Sequence, residues 1–317
     1  MHKTDWMYER KWGVFLHYLE GAMNHPEKPR SMGRHTSWDE CIEDFDCDLF
    51  AYQLHEAGAG WLILTLMQQT KYLLAPNETF NQLTGYQNGE ACPKVDFVER
   101  MYQALAKYDI ALLLYFTGDG PIRDERASKI FPLVIGEHMV EERKPFVENW
   151  AAVAREYSMR YGDKIKGWWQ DGCWIGYTEK ELAYFADAFR AGNPDAVVAQ
   201  NVYGCLDHYG CQVREVRKCA MNNEFTAGEL IDFGALPYGP FVNQSRWHIL
   251  SFLGEAPENS KPDGWGKPGC KYTPGWMFDY VDQIHRIGGI ITIDICGYRD
   301  GHIDPEQLRV LRVLKTV

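Results

Sequence analysis

The sequence predicts an α/β fold, a (β/α)8 TIM-like barrel in which residues 1–317 form one catalytic domain, and three observations predict it. Short apolar runs rich in β-branched and aromatic residues recur eight times along the chain. Longer segments with helical periodicity separate most of them, and strand–helix alternation of this kind builds a parallel sheet. Most of the runs are continuously apolar rather than alternating, as strands covered on both faces are.

In order, the expected strands are Trp12–Tyr18, Gly60–Met67, Asp109–Phe116, Ile165–Asp171, Ala196–Asn201, Cys219–Phe225, Trp247–Leu253 and Gly289–Ile295. The sixth is the weakest, because Asn222 and Asn223 are poor strand formers. Helices are expected over Asp48–Ala57, Val95–Tyr108, Lys144–Tyr161, Glu179–Ala191, Trp276–Ile287 and Pro305–Val317. Gly58, Gly192-Asn193-Pro194 and Gly288 act as stops, and Asp304 is a good N-cap for the last helix. Long loops are expected at 226–246 and 255–275, and loops of that length in compact domains are often functional.

Composition narrows the function classes. The net charge is −11, and the most basic stretch, Arg155 to Lys166, is interrupted by Glu156 and Asp163. A phosphate-backbone partner is therefore not expected. Nine cysteines (41, 47, 92, 173, 205, 211, 219, 270 and 296) are an odd number with no CxxC pair, which argues for reduced thiols rather than a zinc site or a disulfide framework. No stretch approaches eighteen apolar residues, so no membrane span is expected. The opening residues carry no signal-like apolar region, and the chain as given reads as cytoplasmic. Homo-oligomerisation stays open. Aromatic residues make up 14% of the chain; such rings stack on sugars, but they also fill cores.

In a barrel the active site is built at the C-terminal ends of the strands. Reading those ends gives His17, Gln68, Gln69, Asp119, Asp171, Asn201, Asn223, Glu224 and Asp294. Asp171 is the most informative. It closes an apolar, Trp-rich strand and is followed by Gly172, which lets the backbone turn and allows close approach. An ionised Asp beside Trp168 and Trp169 in a concave mouth is costly unless it is paired or used.

Cleaving a glycosidic bond needs two carboxyl groups, one to attack or activate water and one to protonate the leaving oxygen. Glu224, at the end of the sixth strand, and Glu229, in Thr226-Ala227-Gly228-Glu229, are the candidates for the second. Glu224 is preferred, since strand-end carboxylates are better positioned than loop ones; Glu229 could equally begin a helix. No GxSxG, HExxH, Walker or GxGxxG pattern is present. His17, Asp171 and Asp294 could be drawn as a metal cluster, yet the first strand has no His-x-His, and neither a metal nor a cofactor is expected.

At these residues the chain resembles glycoside hydrolase family 29, the α-L-fucosidases, over nearly its whole length from residue 12. Trp12-Gly13-Val14-Phe15-Leu16-His17-Tyr18 is similar to the family's first strand, and residues 50–65 and 95–116 to its next segments. Gly167-Trp168-Trp169-Gln170-Asp171-Gly172 is similar to the strand bearing its nucleophile, and residues 288–311 to its closing motif. The resemblance implies a retaining exo-α-glycosidase in which Asp171 attacks the anomeric carbon. Asn223-Glu224 resembles the pair carrying the acid/base in one subgroup. The resemblance also implies a sugar pocket from His17, Gln68, Gln69, Tyr72, Trp169, Asn201, Trp247 and His248. Where the fucosidases have His-His-Asp-Gly-Phe, this chain has Gln68-Gln69-Thr70-Lys71-Tyr72. The Trp after the first-strand His is Tyr18, and His248 stands where a Glu is expected. Such changes point to a different sugar preference. Two alternatives follow from the same residues: a carbohydrate-binding pseudoenzyme and a metal-dependent barrel hydrolase.

Overall fold

The computed structural model describes residues 2–206, 211–218, 220–255 and 263–317. Cys219 and residues 256–262, which belong to the expected sixth strand and second long loop, lie outside them. Among the described residues nine strands form: β1 (Trp12–Leu16), β2 (Trp61–Thr65), β3 (Ala111–Thr117), β4 (Ile165–Asp171), β5 (Val197–Gln200), β6 (Phe241–Val242), β7 (Ser245–Arg246), β8 (His248–Phe252) and β9 (Ile290–Ile295). Seven of them make one curled parallel sheet in the order β5-β4-β3-β2-β1-β9-β8. The other two, β6 and β7, pair as a short antiparallel hairpin within the expected 226–246 loop.

Two cores explain why the strand runs read as continuously apolar. Alternate residues point to opposite faces of a strand. On the concave face Phe15, Ile63, Leu113, Tyr115, Trp169, Ala199 and Leu250 pack together. On the convex face Val14, Leu62, Leu114, Trp168, Val198 and Ile249 meet the helices. Both faces are buried, so neither can be polar.

The helices begin and end where local chemistry dictates. Asp46 caps Cys47–Ala57 by accepting from the Leu49 N–H, and Gly58 closes it at φ +86°. Asp96 caps Phe97–Ala106, which delays that helix by two residues from the expected Val95. Thr178 and Glu181 form a reciprocal capping box on Glu179–Phe189. Thr273 caps Pro274–Ile287, and Asp304 caps Pro305–Val313. The helix Val140–Tyr161 starts four residues ahead of the expected Lys144.

The closed eight-stranded barrel is corrected to a seven-stranded sheet, because among the described residues the sixth expected strand does not form. Its residues still span the opening between β5 and β8, largely through side chains. The Asn223 carboxamide accepts from Gln200 N–H (2.9 Å) and donates to Gln200 C=O (3.2 Å). The Glu224 N–H donates to Val198 C=O (3.0 Å), while its carboxylate accepts from Val198 N–H (2.8 Å). On the other side Thr226 N–H bonds Arg246 C=O, and Leu250 N–H bonds Gly228 C=O, each at 2.9 Å. The short Asn and Glu side chains thus take the positions that a regular ladder would give to backbone groups.

Candidate active site

The two-residue strand period carries the concave-face pattern beyond the strand ends. His17 continues Phe15, Asp171 continues Trp169, Asn201 continues Ala199, and Asp294 lies on the same face as Thr292. Their side chains gather above the inner core beside a cavity of about 290 Å3, whose walls include Phe15, His17, Arg30, Gln68, Tyr115, Trp169, Asp171, Glu229, Leu250, Asp263 and Trp265. A larger concavity, about 900 Å3, lies at the opposite end of the sheet around Trp6, Asp109 and Lys164 and contains none of these groups.

Asp171 accepts from the Tyr115 hydroxyl at 2.8 Å and from the Asn201 amide at 3.2 Å. Burial and the neighbouring Asp171 raise the Tyr115 pKa far above its ordinary value, so the phenol stays a donor. Gly172 takes φ +67°, and a Cβ there would lie 2.8 Å from the Asp119 backbone nitrogen and carboxylate. Only glycine lets the chain turn away so soon after Asp171.

Glu229 is the second carboxyl group in the cavity. Leu230 N–H bonds Leu250 C=O at 2.9 Å, which docks this irregular segment on β8 and turns Glu229 inward. Gly228 is required there: its φ is +67°, and a Cβ would sit 2.0 Å from His248 C=O. The Asn201 amide that bonds Asp171 also donates to Glu229 at 2.5 Å. One nitrogen shared between them holds those two carboxyl oxygens no more than about 5.7 Å apart. Burial and the charge of Asp171 push the Glu229 pKa up to about 8, against opposing hydrogen bonds from Asn201 and Cys205.

Glu224, the preferred sequence candidate, is corrected by its contacts. Arg190 Nη2 donates to both of its carboxylate oxygens, at 2.6 and 2.7 Å, and Val198 N–H takes one of them as well. It is absent from the cavity wall and serves to hold β5 instead.

His17 donates Nδ1–H to Asp294 at 2.6 Å, and the other Asp294 oxygen accepts from Gly266 N–H at 2.6 Å. Gln68 reaches the cavity, whereas Gln69, at φ +60°, gives its amide to Asp119 at 2.5 Å. Asp119 is 1% exposed and also bonds the Thr117 hydroxyl; burial raises its pKa. Trp169 is a wall of the cavity, stacked on Tyr115 and tied through Nε1 to Ala227 C=O.

Three further expectations are corrected. Tyr72 packs against Trp38 and the Lys71 ammonium rather than lining the cavity. Trp247 belongs to the convex-face core. His248 is fully buried beneath the site, with Nδ1 bonded to Thr226 C=O and Nε2 to the Thr292 hydroxyl, both at 2.8 Å. Its burial lowers its pKa to about 4. Trp247 precedes β8 and His248 opens it, at the end of the strand remote from the mouth. Conversely, Tyr115 is missing from the sequence-derived site although its parity with Leu113 marks it as inward-facing. Arg30 lies in a three-residue 3-10 turn, Pro29–Ser31, and Trp265 on a loop, where no periodicity points to them.

No protein-family profile matches the chain, and no curated protein matches it in sequence. Solved structures do match in fold. A bacterial fucosidase bound to a monovalent iminocyclitol inhibitor superposes with a TM-score of 0.65 at 14% identity, covering 99% of this chain and 73% of that one. An α-L-fucosidase of glycoside hydrolase family 29 from Bacteroides thetaiotaomicron, trapped as a covalent intermediate, gives 0.62 at 15% identity, with 99% and 74% coverage. An endo-fucoidan hydrolase of glycoside hydrolase family 107 gives 0.71 at 13% identity, covering 100% of this chain and 93% of that one.

This is a fucosidase-like fold. At these identities the likeness concerns architecture. Within the fucosidase-like fold, the groups that could act chemically are those the geometry has gathered: Asp171, Glu229, Tyr115, Asn201, His17 and Asp294. Among the described residues no group of three His, Cys, Asp or Glu side chains is arranged to hold a metal ion. No described helix is long and apolar enough to cross a membrane.

Proposed function

We propose that the chain is a glycoside hydrolase, a retaining exo-α-glycosidase of fucosidase type, with Asp171 as nucleophile and Glu229 as acid/base. The observation that carries this reading is the Asn201 amide bonded to both carboxyl groups. Their bonded oxygens therefore lie no more than about 5.7 Å apart, a bound that admits the roughly 5–5.5 Å of retaining enzymes and falls short of the roughly 6.5–9.5 Å that leaves room for the water of an inverting one. The protonation pattern supports the same division of labour. A carboxyl with a pKa of about 8 carries a proton at neutral pH, while Asp171 receives two donated hydrogen bonds, as an attacking carboxylate does.

In the first step Asp171 attacks the anomeric carbon as the bond to the leaving oxygen breaks, and Glu229 gives its proton to that oxygen. Glu229, now a carboxylate, takes a proton from water, whose oxygen attacks the same carbon and releases Asp171. Two inversions return the original anomeric configuration. Tyr115 and Asn201 hold Asp171 in place, and Trp169 with Phe15 offers apolar surface to a sugar ring. A cavity of about 290 Å3 lies at the small end of the roughly 300–1,000 Å3 range of ligand sites, which suits one terminal sugar. The neighbouring structures described as fucosidases and fucoidan hydrolases make an α-L-fucoside the first substrate to try, with α-galactoside and α-arabinoside beside it.

The test is a panel of aryl α- and β-glycosides. Asp171→Ala is expected to abolish hydrolysis of the α-glycoside that wild type cleaves, and added azide is expected to restore turnover by attacking the opened face. Unaltered activity in that variant would end the assignment.

A further inference from the structure

The β1–β9 side of the cavity carries a cation that the hydrolytic steps leave unused. Arg30 is 6% exposed, yet no carboxylate among the described residues lies within 4.0 Å of its guanidinium. Nε donates to Gly297 C=O at 2.8 Å and Nη2 to His17 C=O at 2.6 Å. Those two bonds use one edge of the fork and fix its plane. Nη1 makes no hydrogen bond among the described residues, and Arg30 forms part of the cavity wall. Gly266 leaves room beside it: a Cβ there would stand 2.4 Å from Nη1, at a φ of +60°. A buried guanidinium with an unused N–H pair facing a cavity costs free energy unless a ligand completes it.

His17 stands beside it. Asp294 takes the Nδ1–H, and that tautomer presents Nε2 as a hydrogen-bond acceptor. We propose that Arg30 Nη1 and His17 Nε2 form a donor–acceptor pair that reads two neighbouring hydroxyl groups of the sugar, Arg30 donating to one oxygen and His17 accepting from the next. The inference rests on the glycosidase reading for the nature of the ligand. It selects a neutral diol over an anionic substituent. A sulfate or carboxylate has no proton to give Nε2, and in this cavity it would meet Asp171, Asp263 and Asp294 against one guanidinium. Arg30 is then a specificity-determining group, separate from the carboxyl pair that breaks the bond.

The experiment compares kcat/KM for the cleaved aryl glycoside and each of its monodeoxy analogues in wild type and in Arg30→Lys. The variant is expected to lose about ten- to a hundredfold on the parent, the range of a hydrogen bond to a charged group. On the analogue lacking the hydroxyl that Arg30 reads, variant and wild type should be equal. An equal loss on every analogue, or no loss on the parent, would overturn the proposal and leave Arg30 as a brace for His17 and Gly297. Should Arg30→Lys fail to fold, Gly266→Ala supplies the second variant, since its Cβ would stand 2.4 Å from Nη1 and displace the guanidinium from the ligand. Binding separates this proposal from the hydrolase reading. Thermal stabilisation of Asp171→Asn by free fucose, galactose or arabinose, and by their deoxy forms, needs no turnover. A protein that cleaves nothing yet shows the Arg30- and hydroxyl-dependent stabilisation keeps the subsite and loses the hydrolase reading. One that neither cleaves nor binds these sugars loses both.

Discussion

Burial and the neighbouring charge of Asp171 raise the Glu229 pKa to about 8. As the proposed proton donor Glu229 must be protonated, so kcat/KM is expected to fall as pH rises through about 8 in the free enzyme. A rate that climbs past pH 9 would remove Glu229 from that role. Tyr115 offers a second test at this scale. Tyr115→Phe removes one of the two donors to Asp171 while keeping the ring stacked on Trp169. A hydrogen bond to a charged group contributes about 1.5–3 kcal/mol, so a loss of roughly ten- to a hundredfold in kcat is expected, with the wild-type melting temperature nearly retained. Asp171 was legible in the sequence because an acid ending a Trp-rich run and followed by glycine has few structural explanations. The choice between Glu224 and Glu229 was not. It depends on Arg190, a residue 34 positions away that occupies the first, and on the docking of a turn on β8 that orients the second.

Among the elements, seven of the eight expected strands form, and the exception has a physical cause. An apolar run reports burial on both faces, which is all a parallel strand needs to be recognised. Asn222-Asn223-Glu224 lacks that signature, since the Asn223 and Glu224 side chains bond the β5 backbone in place of a ladder. The sequence marked this stretch as weak without revealing what replaces the strand. Asn223→Ala would leave both Gln200 backbone groups without that partner, at a cost of about 1–3 kcal/mol for each buried group left unpaired. A fall in the urea midpoint at unchanged m-value is the expected outcome. Asn223→Asp keeps the acceptor for Gln200 N–H but sets a carboxylate against Gln200 C=O, so it should recover little of the loss. Full stability in both variants would show that the opening between β5 and β8 is held some other way. Strand ends were more readable than helix starts: Ile165–Asp171 forms over the residues expected of it, whereas the helices expected from Lys144 and Trp276 begin at Val140 and Pro274, and only Asp304 announced its cap in the sequence.

For the whole molecule, two buried groups bracket the pH range in which the fold is most stable, and they act with opposite signs. His248, beneath the site, has its pKa lowered to about 4 by burial. Between that value and the ordinary value of about 6.5 the unfolded chain binds a proton that the folded chain refuses, so stability is lost as pH falls from 6.5 toward 4. Glu229 has its pKa raised from 4.5 to about 8. Between those values the folded chain holds a proton that the unfolded chain has released, so this contribution weakens progressively as pH rises from 4.5 to 8. The two variants should therefore act on opposite limbs of a plot of melting temperature against pH. His248→Gln, which retains a donor for Thr226 C=O and an acceptor for the Thr292 hydroxyl, is expected to flatten the acid limb and leave the alkaline one alone. Glu229→Gln, which removes the charge that high pH forces into the cavity, is expected to raise the melting temperature above pH 8 relative to wild type and to change it little at pH 5. That second result bears on function as well as folding. A carboxyl that makes the fold less stable in its ionised form, at the mouth of a cavity and within reach of Asp171, is retained at a cost in stability, and the alkaline limb of the activity profile should move with the alkaline limb of stability. If Glu229→Gln left the alkaline limb of stability unchanged, the buried, protonated state of Glu229 would be wrong, and with it the electrostatic support for its role as the acid.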